Sequence, residues 1–184
     1  MRIKCDCCRD SVVYFQPVQG RIADNTRLLE QGAALISSLS HEDFAAASPL
    51  GASVGAHFRH IIDFYGCFLR GLASATIDYD QRDRDPHIES SQEVCKQAIL
   101  DIRSRLLALD LSAAAPLLVR AEAASPAVYA PSSVGRELQF LVAHTVHHFA
   151  LISYVLIERG KTVPQGFGVA SSTLEHLRTE SLAG

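Results

Sequence analysis

The chain has 184 residues, of which 48% are hydrophobic and 20% charged, and its formal net charge is −3. That length suits one globular domain burying on the order of 70% of its unfolded surface, which rules out intrinsic disorder and the need for a disulfide scaffold. Neither a basic block nor an acidic tail is present, so electrostatics give no reason to expect nucleic acid or a membrane surface as partner.

At the N-terminus, Met1-Arg-Ile-Lys4 is followed by Cys5, Asp6, Cys7, Cys8, Arg9 and Asp10. A signal peptide needs an apolar run there, so the sequence reads as cytoplasmic. Cys5 and Cys8 form a C-x-x-C without the second pair that a zinc ribbon requires, and an odd total of five cysteines argues against a disulfide framework. Residues 1–16 are therefore expected to be a flexible tail, 17–178 one helical domain, and 179–184 a C-terminal tail.

From Pro17 to Leu39, Ile22, Leu28, Leu29, Leu35, Ile36 and Leu39 recur at helical intervals, with Asp24, Arg27 and Glu30 on the wet side. Ser48-Pro49-Leu50-Gly51 breaks the chain, and Ser53 caps a second helix running to about Leu72. A polar loop, Asp78-Tyr-Asp-Gln-Arg-Asp-Arg-Asp-Pro86, comes next. Ser90-x-x-Glu93 reads as a capping box opening a third helix through Ile99, Ile102, Leu106 and Leu109. Leu117 to Arg120 and Val128-Tyr129 are β-prone and predict a small hairpin. Ser132 or Ser133 caps the longest helix, Val134 to Arg159, stopped by Gly160 and Pro164. Its apolar run Phe149 to Ile157 is too short to span a bilayer and reads as a buried segment. Ser172-x-x-Glu175 begins a last short helix ending near Arg178. The expected fold is all-α: a four-helix bundle with a small hairpin between its third and fourth helices.

Five of the eight histidines (His57, His60, His144, His147, His148) fall in two short segments, on the second and fourth long helices. His144 and His148 are one turn apart, so two imidazoles project from one face at an axial offset of roughly 6 Å and can share an ion. Their stripe continues through Leu141, Leu151 and Val155, and so looks inward. On the second helix, Val54, Phe58, Ile61, Ile62, Tyr65, Phe68, Leu69 and Leu72 form the apolar arc, and Arg59, Asp63 and Arg70 the charged strip. His60 belongs to a third sector with Ser53, Ala56, His57, Phe64, Cys67 and Gly71, whose small residues leave room for an ion and a ligand. A divalent metal site on His60, His144 and His148 follows. His57 could replace His60; for it and His147, supporting the ligands or lining the pocket is the expected role.

Ser53-Val-Gly-Ala-His-Phe-Arg-His60 and Arg136-Glu-Leu-Gln-Phe-Leu-Val-Ala-His-Thr-Val-His-His148 resemble the DinB-like (YfiT-like) superfamily of metal-dependent enzymes, unrelated to the DNA polymerase of similar name. The resemblance runs from about Leu50 to Leu177. It implies a four-helix bundle and a metal triad of one histidine from the second helix, here His60, and the H-x-x-x-H pair, here His144 and His148. It also implies a thiol transferase or thiol-dependent isomerase activity with a low-molecular-weight thiol, and a homodimer.

Three neutral imidazoles leave a divalent ion's charge uncompensated and open positions for a small-molecule substrate; Zn²⁺, Ni²⁺ or another divalent ion suits the donor set. Activation of a thiol and hydrolysis by metal-bound hydroxide are both compatible. No catalytic acid or base is assigned. Thr145 stands where a zincin carries glutamate, Glu137 is expected to pair with Arg136 or a neighbouring helix, and Asp63 to be solvated or to support a ligand. The missing base motivates a rival expectation, a non-catalytic metal-binding or stress-response protein. The EF-hand-like spacing of Asp78, Asp80 and Glu89 puts Arg82 at a ligand position and Asp83 in place of the turn glycine, so calcium binding is not expected. Phe64, Tyr65 and Phe68 are expected in the core.

Overall fold

A computed structural model describes residues 2–4, 12–14, 18–48, 51–121, 123 and 125–183. Its four long helices are α1 (Val18–Ser38), α3 (Val54–Gly71), α5 (Gln92–Leu107) and α6 (Val134–Glu158). They close a ring in which α1 packs on α5 and α6, and α3 packs on the same two, as a four-helix bundle requires. Each helix turns its apolar stripe inward: Leu29, Leu35 and Ile36; Phe58, Ile61 and Phe68; Ile99, Ile102 and Leu106; Leu138, Leu141, Phe149 and Ile152 are all buried. Burial of each such side chain stabilises the bundle by about 1.5–3 kcal/mol against leaving it in water.

Short elements fill the connections. A one-turn helix α2 (His41–Ala45) follows α1, and β3 (Thr76–Ile77) follows α3. Ahead of α6, β4 (Pro116–Arg120) and β5 (Tyr129–Ser133) form the expected antiparallel hairpin, Leu118 opposite Pro131. β3 adds in parallel to β4, with Thr76 opposite Leu118, so the end of α3 is stitched to the segment leading into α6. Ser133, rather than Ser132, caps α6, accepting from the Arg136 amide, and Gly160 at φ +69° ends the helix. By length and composition α6 could cross a membrane; its Phe149, Ile152, Val155 and Leu156 are instead buried in the bundle.

Three boundaries differ from expectation. Asp85-Pro86 starts a separate short helix, α4 (Pro86–Ser90), with Asp85 as its cap and proline where no amide is needed. The cap of α5 is consequently Ser91, which accepts from the Val94 amide, while the Ser90 hydroxyl turns back to the Pro86 carbonyl. The last helix, α7 (Ser171–Ala183), runs well beyond Arg178 into the expected C-terminal tail, because no glycine or proline interrupts it. Within residues 1–16, β1 (Arg2–Lys4) pairs antiparallel with β2 (Val12–Tyr14), whose Val12, Val13 and Tyr14 all favour a strand. Cys5, Cys7 and Cys8 and the Pro49-Leu50 breaker lie outside the described residues.

Candidate metal centre

The two histidine segments are brought together because α3 and α6 are neighbours in the bundle. Ser53 fixes the start of α3 by accepting from the Ala56 amide at 3.0 Å, one turn before His57 and two before His60. The helices are locked behind the histidines by a buried polar chain. Tyr65 donates to Asn25 Oδ1 at 2.7 Å and lies 3.3 Å from Thr145 Oγ1, while Asn25 Nδ2 donates to the Leu138 carbonyl at 3.0 Å. All three side chains are fully buried and each polar end is satisfied, so the chain ties α1, α3 and α6 into one register. Thr145, in the place of a zincin's glutamate, is thus part of the clamp.

His60, His144 and His148 meet on the other side of this clamp. One ring nitrogen of each lies within 4.8 Å of one of each of the others. Ring centroids are 5.1 Å apart for His60 and His144, and 4.6 Å for His60 and His148 and for His144 and His148. A tetrahedral ion with bonds of about 2.1 Å would set its ligand nitrogens roughly 3.4 Å apart. Burial lowers the basicity of all three rings, to about 4 for His60, about 4 for His144 and about 3 for His148; neighbouring positive groups, Arg82 first for His60, add to the effect. At neutral pH the three rings are therefore neutral, the form in which imidazole ligates metal. The donor set fits one divalent ion.

The surrounding shell is specific. His57 Nδ1 lies 3.1 Å from His148 Nδ1, a contact in which one ring must donate and the other accept. His147 is exposed beside His148, with ring centroids 5.2 Å apart. Phe64, expected in the core with Tyr65 and Phe68, is half-buried and stacks on His144 at 4.0 Å; only the other two are fully buried. The reason is angular: Phe64 shares the histidine sector of α3, not its apolar arc. Tyr79 stacks on Phe64 at 5.0 Å, and Phe140 reaches both Tyr79 and His144, making an aromatic wall. Tyr79 donates at 2.8 Å to Glu137, which is fully buried and also takes Ser132 and Arg136 as partners. Burial and Glu137 hold the Tyr79 phenol well above its ordinary range, so it stays a hydrogen-bond donor.

Asp63 departs from the expectation of a solvated strip residue or ligand support: it is buried and accepts from the Arg84 amide at 3.2 Å, tying the loop before α4 to α3. Asp78 and Asp80 face Arg120 at 3.0 and 3.6 Å, so a guanidinium pairs with the acidic loop. Tyr79, Phe140 and Arg82 at the site's edge were not singled out by spacing, since two of them lie on an irregular loop. Among the described residues no carboxylate hydrogen-bonds or ion-pairs with His60, His144 or His148.

Residues 26–152 match the DinB superfamily. The structure is similar to that of a DinB-like protein from Bacillus cereus ATCC 10987, with a TM-score of 0.52 at 15% identity, over 82% of this chain and 98% of that one. At that identity the likeness concerns the fold. A curated relative from Rhizopus delemar, FK506-binding protein 5, is 35% identical over 112 residues; the match takes in 56% of this chain and only 28% of that protein. A bundle of this topology, two histidine segments facing each other across it and a family match over most of the chain agree: the chain belongs to the DinB superfamily.

Proposed function

We propose that the protein binds one divalent metal ion through His60, His144 and His148 and uses it to activate a low-molecular-weight thiol for transfer to a small-molecule substrate. The observation that carries this is the convergence of three neutral imidazoles with no carboxylate among them. A bound ion would supply Lewis acidity and lower the pKa of a thiol held on it. The chain's own residues orient and shelter. With His148 Nδ1 donating to His57 across their 3.1 Å contact, His148 Nε2 would be left for the ion and the ring's tautomer fixed. The Phe64, Tyr79 and Phe140 wall excludes water from one side. Thiol chemistry is favoured over hydrolysis because a thiolate, once formed, attacks without a general base, and the described residues place no carboxylate base beside the histidines. The lack of a carboxylate base among the described residues also supports the second reading, a non-catalytic metal-binding protein.

Elemental analysis of the purified protein tests the metal. About one ion per chain is expected in the wild type and a large loss in His144→Ala and His148→Ala; unchanged content in both variants would refute the site. Turnover of a model electrophile with glutathione, bacillithiol or mycothiol, abolished by a chelator and restored by the ion, separates the thiol transferase from the non-catalytic reading.

A further inference from the structure

Arg82, at the edge of the histidine cluster, forms no ion pair among the described residues. Its Nη1 lies 3.3 Å from His60 Nδ1, its guanidinium sits 5.7 Å from the Phe64 ring centroid, and its buried Nε has no hydrogen-bond partner among the described residues. Acidic residues of this region have other partners: Glu89 pairs with Arg59 at 2.8 Å, Asp83 with Arg70 at 2.7 Å, and Asp78 and Asp80 with Arg120, while Asp63 accepts from the Arg84 amide and feels the Arg82 charge without forming an ion pair with it. Arg82 is nonetheless held in place. The carbonyl of Gln81, just before it, accepts from Arg70 at 2.8 Å and from Cys67 at 3.3 Å, and the amide of Arg84, just after it, is bound by Asp63.

The contact with His60 has a chemical consequence. A guanidinium only donates, so His60 Nδ1 must offer its lone pair to Arg82 and carry its proton on Nε2. A neutral imidazole that gives one nitrogen to a metal carries its proton on the other, and so has no lone pair left. Ligation by His60 and acceptance from Arg82 are mutually exclusive, whichever nitrogen ligates.

We propose that Arg82 is the specificity-determining residue of the centre: it recognises a carboxylate on the small-molecule ligand, and becomes available when His60 takes up the ion. The proposal rests on the three-histidine metal reading. A planar fork of N–H donors matches a carboxylate, and the flanking wall of Phe64, Tyr79 and Phe140 suits an apolar or aromatic body attached to it.

Calorimetric titration with benzoate, and with benzamide as its uncharged isostere, tests this on protein whose zinc content has been measured first. Zinc-loaded wild type should bind benzoate at least tenfold more tightly than zinc-loaded Arg82→Gln, with benzamide weak and equal on both. Arg82→Gln should hold zinc at least as tightly as the wild type, having lost a competitor for His60. Equal benzoate affinities, or no benzoate binding to the zinc-loaded wild type, would overturn the proposal. A separate arm needs no metal: in zinc-free His60→Ala, which removes Arg82's partner, benzoate binding should depend on Arg82 by comparison with His60→Ala/Arg82→Gln. Failure of zinc to bind with retained Arg82 dependence in that arm would sink the metal reading alone; loss of the dependence would sink the role of Arg82.

Discussion

Removing one oxygen from the clamp behind the histidines should destabilise the whole bundle. In Tyr65→Phe the ring keeps its packing, so no cavity term enters, but Asn25 Oδ1 loses its 2.7 Å donor and Thr145 Oγ1 its 3.3 Å neighbour. Both are wholly inaccessible to solvent, so water cannot take over. One lost hydrogen bond is worth about 1 kcal/mol net, and a buried acceptor left unsatisfied costs about 1–3 kcal/mol, giving an expected loss of about 2 kcal/mol. For a domain of this size that lowers the Tm by roughly 4–8 °C. Urea unfolding followed by circular dichroism should show a lower midpoint at an unchanged slope, because the native fold and its buried area persist. Asn25→Ala should cost more than Tyr65→Phe, since it also frees the Leu138 carbonyl from its contact across the bundle. The double variant should fall short of the sum, because the two share one interaction. A Tyr65→Phe midpoint within 0.5 kcal/mol of wild type, taken as the ordinary noise of surface substitutions, would show that the chain of hydrogen bonds carries no stability.

Two further outcomes follow from named contacts. His60, His144 and His148 have folded-state pKa values of about 4, 4 and 3, below the ordinary value of 6.5, so between those limits the unfolded chain binds more protons. Stability of the metal-free protein is therefore fully present above pH 6.5 and falls as pH drops from 6.5 towards 4, by at most about 1.4 kcal/mol per pH unit for each histidine and less in practice, because the rings are partly exposed. Urea midpoints across that range should flatten in His148→Gln, and a wild-type profile flat from pH 7 to 4 would contradict the burial argument. Gly55 lets α3 approach α4 so closely that an added Cβ would overlap the Glu89 carbonyl and sit 2.9 Å from Phe44 Cε1. Gly55→Ala should cost about 1–3 kcal/mol despite alanine's better helix propensity, and a stabilised variant in a thermal melt would refute it.

Periodicity made the four long helices legible because each carries an apolar stripe, and for two of them the capping residue, Ser53 before α3 and Ser133 before α6, is read directly from the chain. The three-histidine cluster was legible for the same reason, since spacing of three and four on a helix fixes a face. What spacing could not supply was the contribution of irregular chain. Arg82 and Tyr79 reach the site through a loop whose path is set by tertiary hydrogen bonds to Asp63, Cys67 and Arg70, and nothing local encodes that. The start of α5 was misplaced because Ser90 and Ser91 both satisfy a capping rule, and the short helix set off by Pro86 decides between them. Asp63 looked wet because its neighbours on the charged strip are; only the folded loop buries it.

The contact between His57 and His148 spans 91 residues of chain, and with it the whole centre is split between one helix near the start of the domain and one near its end. A nascent chain would expose His57 and His60 long before α6 leaves the ribosome, and until then there is no place for an ion to be held by three nitrogens. Closing so long a loop costs only modestly more entropy than closing a short one, but it must be paid before any ligand bond forms. Metal capture by the three histidines would in this architecture be a late event, a seal on a finished bundle. A truncated chain ending before Val134 would keep both α3 histidines and lack the means to chelate.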